Sequence, residues 1–187
     1  MIRRIPTAAS VAVLCAVFST SAALGAAADA AKNVVSVTFK QLNVPVEGRF
    51  NRFVADIHFD PENVAASSAK LDVDVDSFDL GSPDYNKQVT GDEWFDAPHY
   101  PHATFVSTRI ERSANGAYSV QGKLKIKGKT TDVVVPILFH KDGPNQVFDG
   151  TLPIKRLTYN IGTGEWKDTS LVADDVQIKF HLEVVAQ

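Results

Sequence analysis

From Lys32 onward, apolar and polar residues alternate with a period of two, the pattern of strands with one buried face. In "KLDVDVDSFDL" (70–80), Leu71, Val73 and Val75 alternate with Asp72, Asp74 and Asp76. The aspartates share the face opposite the apolar one, spaced roughly 6.8 Å apart along the strand, whereas calcium oxygens sit within about 2.3–2.6 Å of their ion. Three short carboxylates on a straight strand do not converge on one ion, so a wet sheet face is the better account. Phe78 breaks the parity and predicts a bend or the end of the strand.

In "YSVQGKLKIKG", Tyr118, Val120, Leu124 and Ile126 alternate with Ser119, Gln121, Lys123, Lys125 and Lys127. The lysine row reads as a solvated strand face rather than a phosphate-binding stripe. In "DVQIKFHLEVV", Val176, Ile178, Phe180, Leu182 and Val184 alternate with Gln177, Lys179, His181 and Glu183, which predicts a long strand. Weaker alternation runs through Val35 to Phe39, Phe53 to Phe59, Thr104 to Ile110, Val133 to Phe139 and Val147 to Ile154. Turn signals separate these runs at Asn43 to Gly48, Asn115-Gly116, Gly128, Asp142-Gly143 and Gly162 to Gly164. The sum is about eight strands joined by short turns, which points to a sandwich or an up-and-down barrel. One interruption stands out: Ser82 as N-cap and Pro83 at the first helical position predict a short inserted helix over "DYNKQVTGDEWF", weakened by Gly91. Several strands are longer than usual, and a closed sheet of eight such strands encloses either packed side chains or one small ligand.

The first 28 residues follow another pattern. Arg3 and Arg4 precede an apolar run that ends in small residues, the order of a cleaved secretory signal peptide, with cleavage between residues 25 and 28. The run is too short for a membrane span, which needs about 20 residues, and no later segment comes close, so stable membrane insertion is not expected. "RRIP" lacks the hydrophobic pair of a folded-export signal, which favours unfolded export to the periplasm or beyond. Residues 29–187 then form a single domain. Cys15 is the only cysteine and leaves with the leader, so the core holds together without disulfides. Without Arg3 and Arg4 the chain has 17 basic and 22 acidic residues, a net charge of −5. That argues against a nucleic-acid partner, which requires a concentrated basic surface.

The segment "GDEWFDAPHYPHATFVSTRI" followed by "YSVQGKLKIKGKTTDVVVPI" resembles the YceI-like family of exported bacterial proteins. The matching elements are Trp94-Phe95-Asp96, Tyr100-Pro101, Phe105 and Ser107-Thr108, then Gly122, Leu124, Ile126, Gly128, Thr130 and Val133 to Pro136. Upstream, "GRFNRFVADIHFDPEN" resembles the family's second strand and its Phe-Asp-Pro turn. The resemblance implies an all-β, eight-stranded antiparallel lipocalin-like barrel with an inserted helix. Its apolar lumen would hold an isoprenoid lipid of polyprenol or quinone type, for transport, storage or sequestration of lipophilic molecules, hydrophobic antibiotics included. It implies no catalysis and no other cofactor; family context adds an inner-membrane quinone-handling partner and leaves the oligomeric state open. The chain departs from the family where His-Ser is replaced by Lys32-Asn33 and an Asp-x-His pair by Asp84-Tyr85-Asn86, so those histidines do not carry over.

The lumen candidates are Phe39, Phe53, Ile57, Val75, Phe105, Leu124, Ile126, Ile137, Phe180 and Leu182. Trp94 and Phe95 either cover a lipid chain or plug the barrel end, and Trp166 leans toward the structural role. The alternative for the whole set is a filled core, leaving a stress-related protein-interaction module. His99 and His102, with Glu93 and Asp96 nearby, are the densest group of titratable side chains. HxxH without a third ligand is a weak metal pattern, and Pro98 and Pro101 hold an extended backbone, so a structural loop is the better account. His58, His140 and His181 stand singly in strands and are expected at the surface. No Gly-x-Ser-x-Gly elbow or phosphate-cradling loop is present.

Overall fold

The computed structural model describes residues 32–113 and 115–186. The expected leader lies outside these residues. The strands are β1 (Val34–Gln41), β2 (Val44–Phe50), β3 (Phe53–His58), β4 (Ser68–Asp74), β5 (Phe78–Asp79), β6 (His102–Arg112), β7 (Tyr118–Ile126), β8 (Lys129–Asp142), β9 (Asn145–Lys155) and β10 (Asp175–Val185). One helix, α1 (Pro83–Val89), is inserted between β5 and β6. All pairings are antiparallel, in the order β3-β4-β6-β7-β8-β9-β10-β1-β2-β5.

Ten segments make eight staves, because β2 and β3 are two halves of one strand kinked at Asn51-Arg52, and β4 and β5 are two halves of another. Across both kinks Asn51 N donates to Ser77 O (3.1 Å), Asp74 N to Arg52 O (3.0 Å) and Arg52 N to Ser77 Oγ (3.0 Å). Since β2 pairs with β1 while β3 pairs with β4, the kinked strand closes the sheet into a barrel. The terminal strands meet as neighbours, Val35 opposite Phe180.

The alternation sets the faces. Tyr118, Val120, Gly122, Leu124 and Ile126 are buried inward along β7, and Lys123 and Lys125 point out. Asp72 and Asp74 are spent separately: Asp72 pairs with His102 (2.7 Å), and Asp74 accepts from Arg52 Nε (2.8 Å) and from Asp76 N (3.0 Å). The Arg52 side chain holds the Asp74 carboxyl below the usual carboxylate range.

Several sequence expectations need correction. β4 stops at Asp74, and Val75–Ser77 form a 3-10 turn that produces the parity break at Phe78. The first turn is Leu42-Asn43, both at positive φ, rather than Asn43 to Gly48; Val44–Phe50 is a full strand despite Pro45 and Gly48. β7 ends at Ile126, and Lys127-Gly128 (φ 45° and 72°) make the next two-residue turn, which removes Lys127 from the outer lysine row. The helix ends at Val89; Gly91 O then accepts from Trp94 N (3.1 Å) and Asp96 N (2.8 Å) in a turn that aims the Trp94-Phe95 pair inward. Among the described residues, no helix is long and apolar enough to cross a membrane.

Candidate functional site

The inward side chains do not fill the barrel. Two adjoining apolar chambers of about 110 Å³ each lie along its axis. The first lies toward the β3–β4 hairpin and is lined by Ile57, Phe59, Tyr118, Ile137, Phe148, Phe180 and Leu182 among others. Over it, the Phe59 ring packs edge-on to Tyr118 and Phe148, with centroids 5.0 and 5.4 Å apart, and tilted on Phe139 at 4.7 Å. The hairpin carrying Phe59 is tied down by Gln146 Nε2 to Phe59 O (3.0 Å) and Arg112 Nη2 to Pro61 O (3.2 Å).

The second chamber lies beneath α1 and is lined by Val35, Phe39, Phe50, Phe78, Trp94, Phe95 and Ile126 among others. Its closed end is built around Arg156, only 2% exposed. This guanidinium donates to the carbonyls of Ala173, Ile161, Gly162, Trp166 and Val172 at 2.6–3.1 Å. Its charge lies 5.9 Å from the Trp94 ring centroid, and Trp94 packs on Trp166 at 5.4 Å. Burial pulls the Arg156 pKa down, partly offset by Asp174. Lys127 Nζ fastens the same end by donating to Asp92 O (2.6 Å) and Asn160 O (3.1 Å).

Of the predicted lumen residues, Ile57, Ile137, Phe180 and Leu182 line the first chamber, and Phe39, Trp94, Phe95 and Ile126 line the second. Phe105 and Leu124 face both. Two of the candidates line neither chamber. Val75 is 2% exposed but faces neither chamber, because the strand has already turned and its N–H bonds Pro101 O (2.9 Å). Phe53 packs against the core beside the Asn51-Arg52 kink and lines neither chamber. Sequence reasoning missed Phe50 and Phe59, which lie at strand ends, and Arg156, whose burial no local pattern announces. Trp94 and Phe95 line the second chamber, and Trp166 packs behind Trp94 without lining either chamber.

The titratable candidates are not gathered into one site. His99 pairs with Asp96 and His102 with Asp72, each at 2.7 Å. His58 and His181 have their own aspartates, Asp56 (3.2 Å) and Asp149 (2.7 Å). Asn86 accepts from Leu80 N (2.7 Å) and donates to Asp79 (2.9 Å), fixing the start of α1.

A closed antiparallel barrel with an apolar, two-chambered interior defines a lipocalin-like architecture. The chain belongs to the YceI-like family: the YceI-like domain matches residues 27–184. A UPF0312 protein of Vibrio cholerae is 31% identical over 141 residues, 71% of this chain and 75% of its own length. The crystal structure of Burkholderia cenocepacia BcnA is 55% identical, with a TM-score of 0.82 over 84% of this chain and 99% of that one. A polyisoprenoid binding domain from Saccharophagus degradans, implicated in plant cell wall breakdown, shares the fold at 18% identity and TM-score 0.68, over 87% of this chain and 99% of its own.

Proposed function

We propose that the protein is an exported, non-enzymatic carrier that holds an isoprenoid lipid of polyprenol or quinone type in its lumen, for transport, storage or sequestration. The observation that carries this reading is the pair of adjoining chambers walled by aliphatic and aromatic side chains. An isoprene chain offers branched hydrocarbon and almost nothing to hydrogen-bond, so an apolar wall meets its chemistry. Burial contributes roughly 25 cal/mol per Å² before ordering costs are subtracted. The polyisoprenoid binding domain among its structural relatives supports the same ligand class. The charge, hydrophobe and small-residue order of residues 1–28 supports export to the periplasm.

The test is extraction. Protein purified from the periplasm without detergent is treated with organic solvent, and the extract is analysed by mass spectrometry. A near-stoichiometric polyprenyl species is the expected result and names the chain. A clean extract, with no uptake of added quinones, polyprenols or lipophilic antibiotics, would overturn the carrier reading in favour of a protein-interaction module. Leu124→Asp places a charge on the wall common to both chambers, and loss of the extractable lipid is expected.

A further inference from the structure

The two chambers share Leu71, Phe105, Leu124 and Ile178, which form a neck between them. Two phenylalanine rings of the wall set their outer edges over glycines of the neighbouring strand. A Cβ built on Gly122 of β7 would fall 2.5 Å from the Phe105 ring of β6. One built on Gly150 of β9 would fall 2.2 Å from Cζ of Phe180, its register partner on β10. Both separations are shorter than any carbon contact tolerates, so each ring occupies the space that a side chain on the opposite strand would take. With the sheet behind it, a ring pushed off its glycine can move only into the lumen.

We propose that these ring-on-glycine seats set the bore of the lumen, and that Phe105 at the neck makes it select flexible, thread-like chains over rigid fused-ring lipids. This rests on the carrier reading and adds its specificity. A chain with free rotation about single bonds passes a neck of four side chains and occupies both chambers. A fused-ring molecule is too wide to pass and is confined to one. Phe180 on Gly150 keeps the first chamber wide enough for the remainder of the chain. A purely structural role, in which the ring shields a strand glycine, would change stability without changing which ligand is preferred.

The experiment uses the full chain freed of lipid on a hydrophobic resin and titrated with farnesol, geranylgeraniol, solanesol and cholesterol delivered from cyclodextrin. Binding is followed by quenching of tryptophan fluorescence, since Trp94 lines the second chamber, and a thermal melt of every variant is recorded in parallel. For the unmodified chain, affinity is expected to rise from farnesol to the longer prenols, with cholesterol about tenfold or more weaker than geranylgeraniol. In Gly150→Ala the three atoms nearest the new Cβ all belong to the Phe180 ring, and the variant is expected to lose about tenfold for the long prenols while farnesol stays within about twofold. Phe105→Leu, which opens the neck with little loss of volume, is expected to bring cholesterol up toward geranylgeraniol. Should Gly150→Ala fail to fold, the Phe105→Leu profile decides alone. Variant profiles that superimpose on the parent's, or that shift all four probes in parallel, overturn the bore assignment and leave the carrier reading standing. Failure of the parent chain to bind any prenol removes both.

Discussion

Arg156 donates its whole guanidinium to main-chain carbonyls of the β9–β10 loop, so a single side chain satisfies the polar backbone that closes one barrel end. Replacement by methionine keeps much of the packing but strips five acceptors of their donor. We expect Arg156→Met to lower unfolding free energy in urea by about 3–5 kcal/mol. Arg156→Lys should recover only part of that, because an ammonium has three donors and no planar fork. Asp79 illustrates a different dependence. It accepts from Asn86 Nδ2 (2.9 Å) and Gly81 N (2.8 Å), and these bonds, the Asn86 one foremost, hold its pKa below the ordinary carboxylate value. A depressed native pKa means stabilisation that is complete above the unfolded value near pH 4 and disappears as pH falls through the native one. Melts recorded from neutral pH downward should show Asp79→Asn less stable at pH 7 and less sensitive to acid below about pH 4. At this scale the sequence was legible wherever parity decides orientation, as with Asp72, Leu124 and Phe180. It misled at Val75, where a 3-10 turn ends the parity, and it was silent on Arg156, because long-range carbonyls rather than neighbours determine that residue's burial.

Among the elements, the β7–β8 hairpin depends on two successive residues at positive φ, Lys127 and Gly128. A Cβ at Gly128 would also fall 2.8 Å from Tyr100 Cε1. Gly128→Ala should therefore cost about 1–2 kcal/mol, read as a lower midpoint in thermal or urea unfolding. Gly128 was a legible turn signal. The β1–β2 turn was not, because its residues are Leu42 and Asn43, and the more obvious breakers Pro45 and Gly48 lie inside β2. Gly48 is there for space: a Cβ on it would meet the Phe78 ring at 2.5 Å. The inserted helix was visible through Ser82-Pro83, but its end was set too late, since Gly91 serves the turn after the helix rather than weakening its interior.

For the molecule as a whole, closure requires β1 to find β10 across nearly the entire described chain, with Val35 opposite Phe180. Such non-local pairing delays the first favourable contacts, and refolding from urea should take milliseconds to seconds rather than microseconds, which stopped-flow tryptophan fluorescence would measure. The barrel class could be read from strand count and turn spacing. The unfilled lumen could not, because an inward apolar residue has the same pattern whether it meets a neighbour or a cavity. What distinguishes them is the arrangement of rings and glycines on adjacent strands, which no single strand's alternation encodes.

Around Asn51-Arg52 and Ser77 the regular ladder is replaced by a few bonds, one of them to a side-chain hydroxyl. Backbone amides along that seam, Asn51, Arg52 and Asp74, should exchange with deuterium well before those in the middle of β7 or β9. A cylinder with one sparsely stitched line would part along it first, and that line runs beside the second chamber, where Phe50 of β2 faces Phe78 of β5.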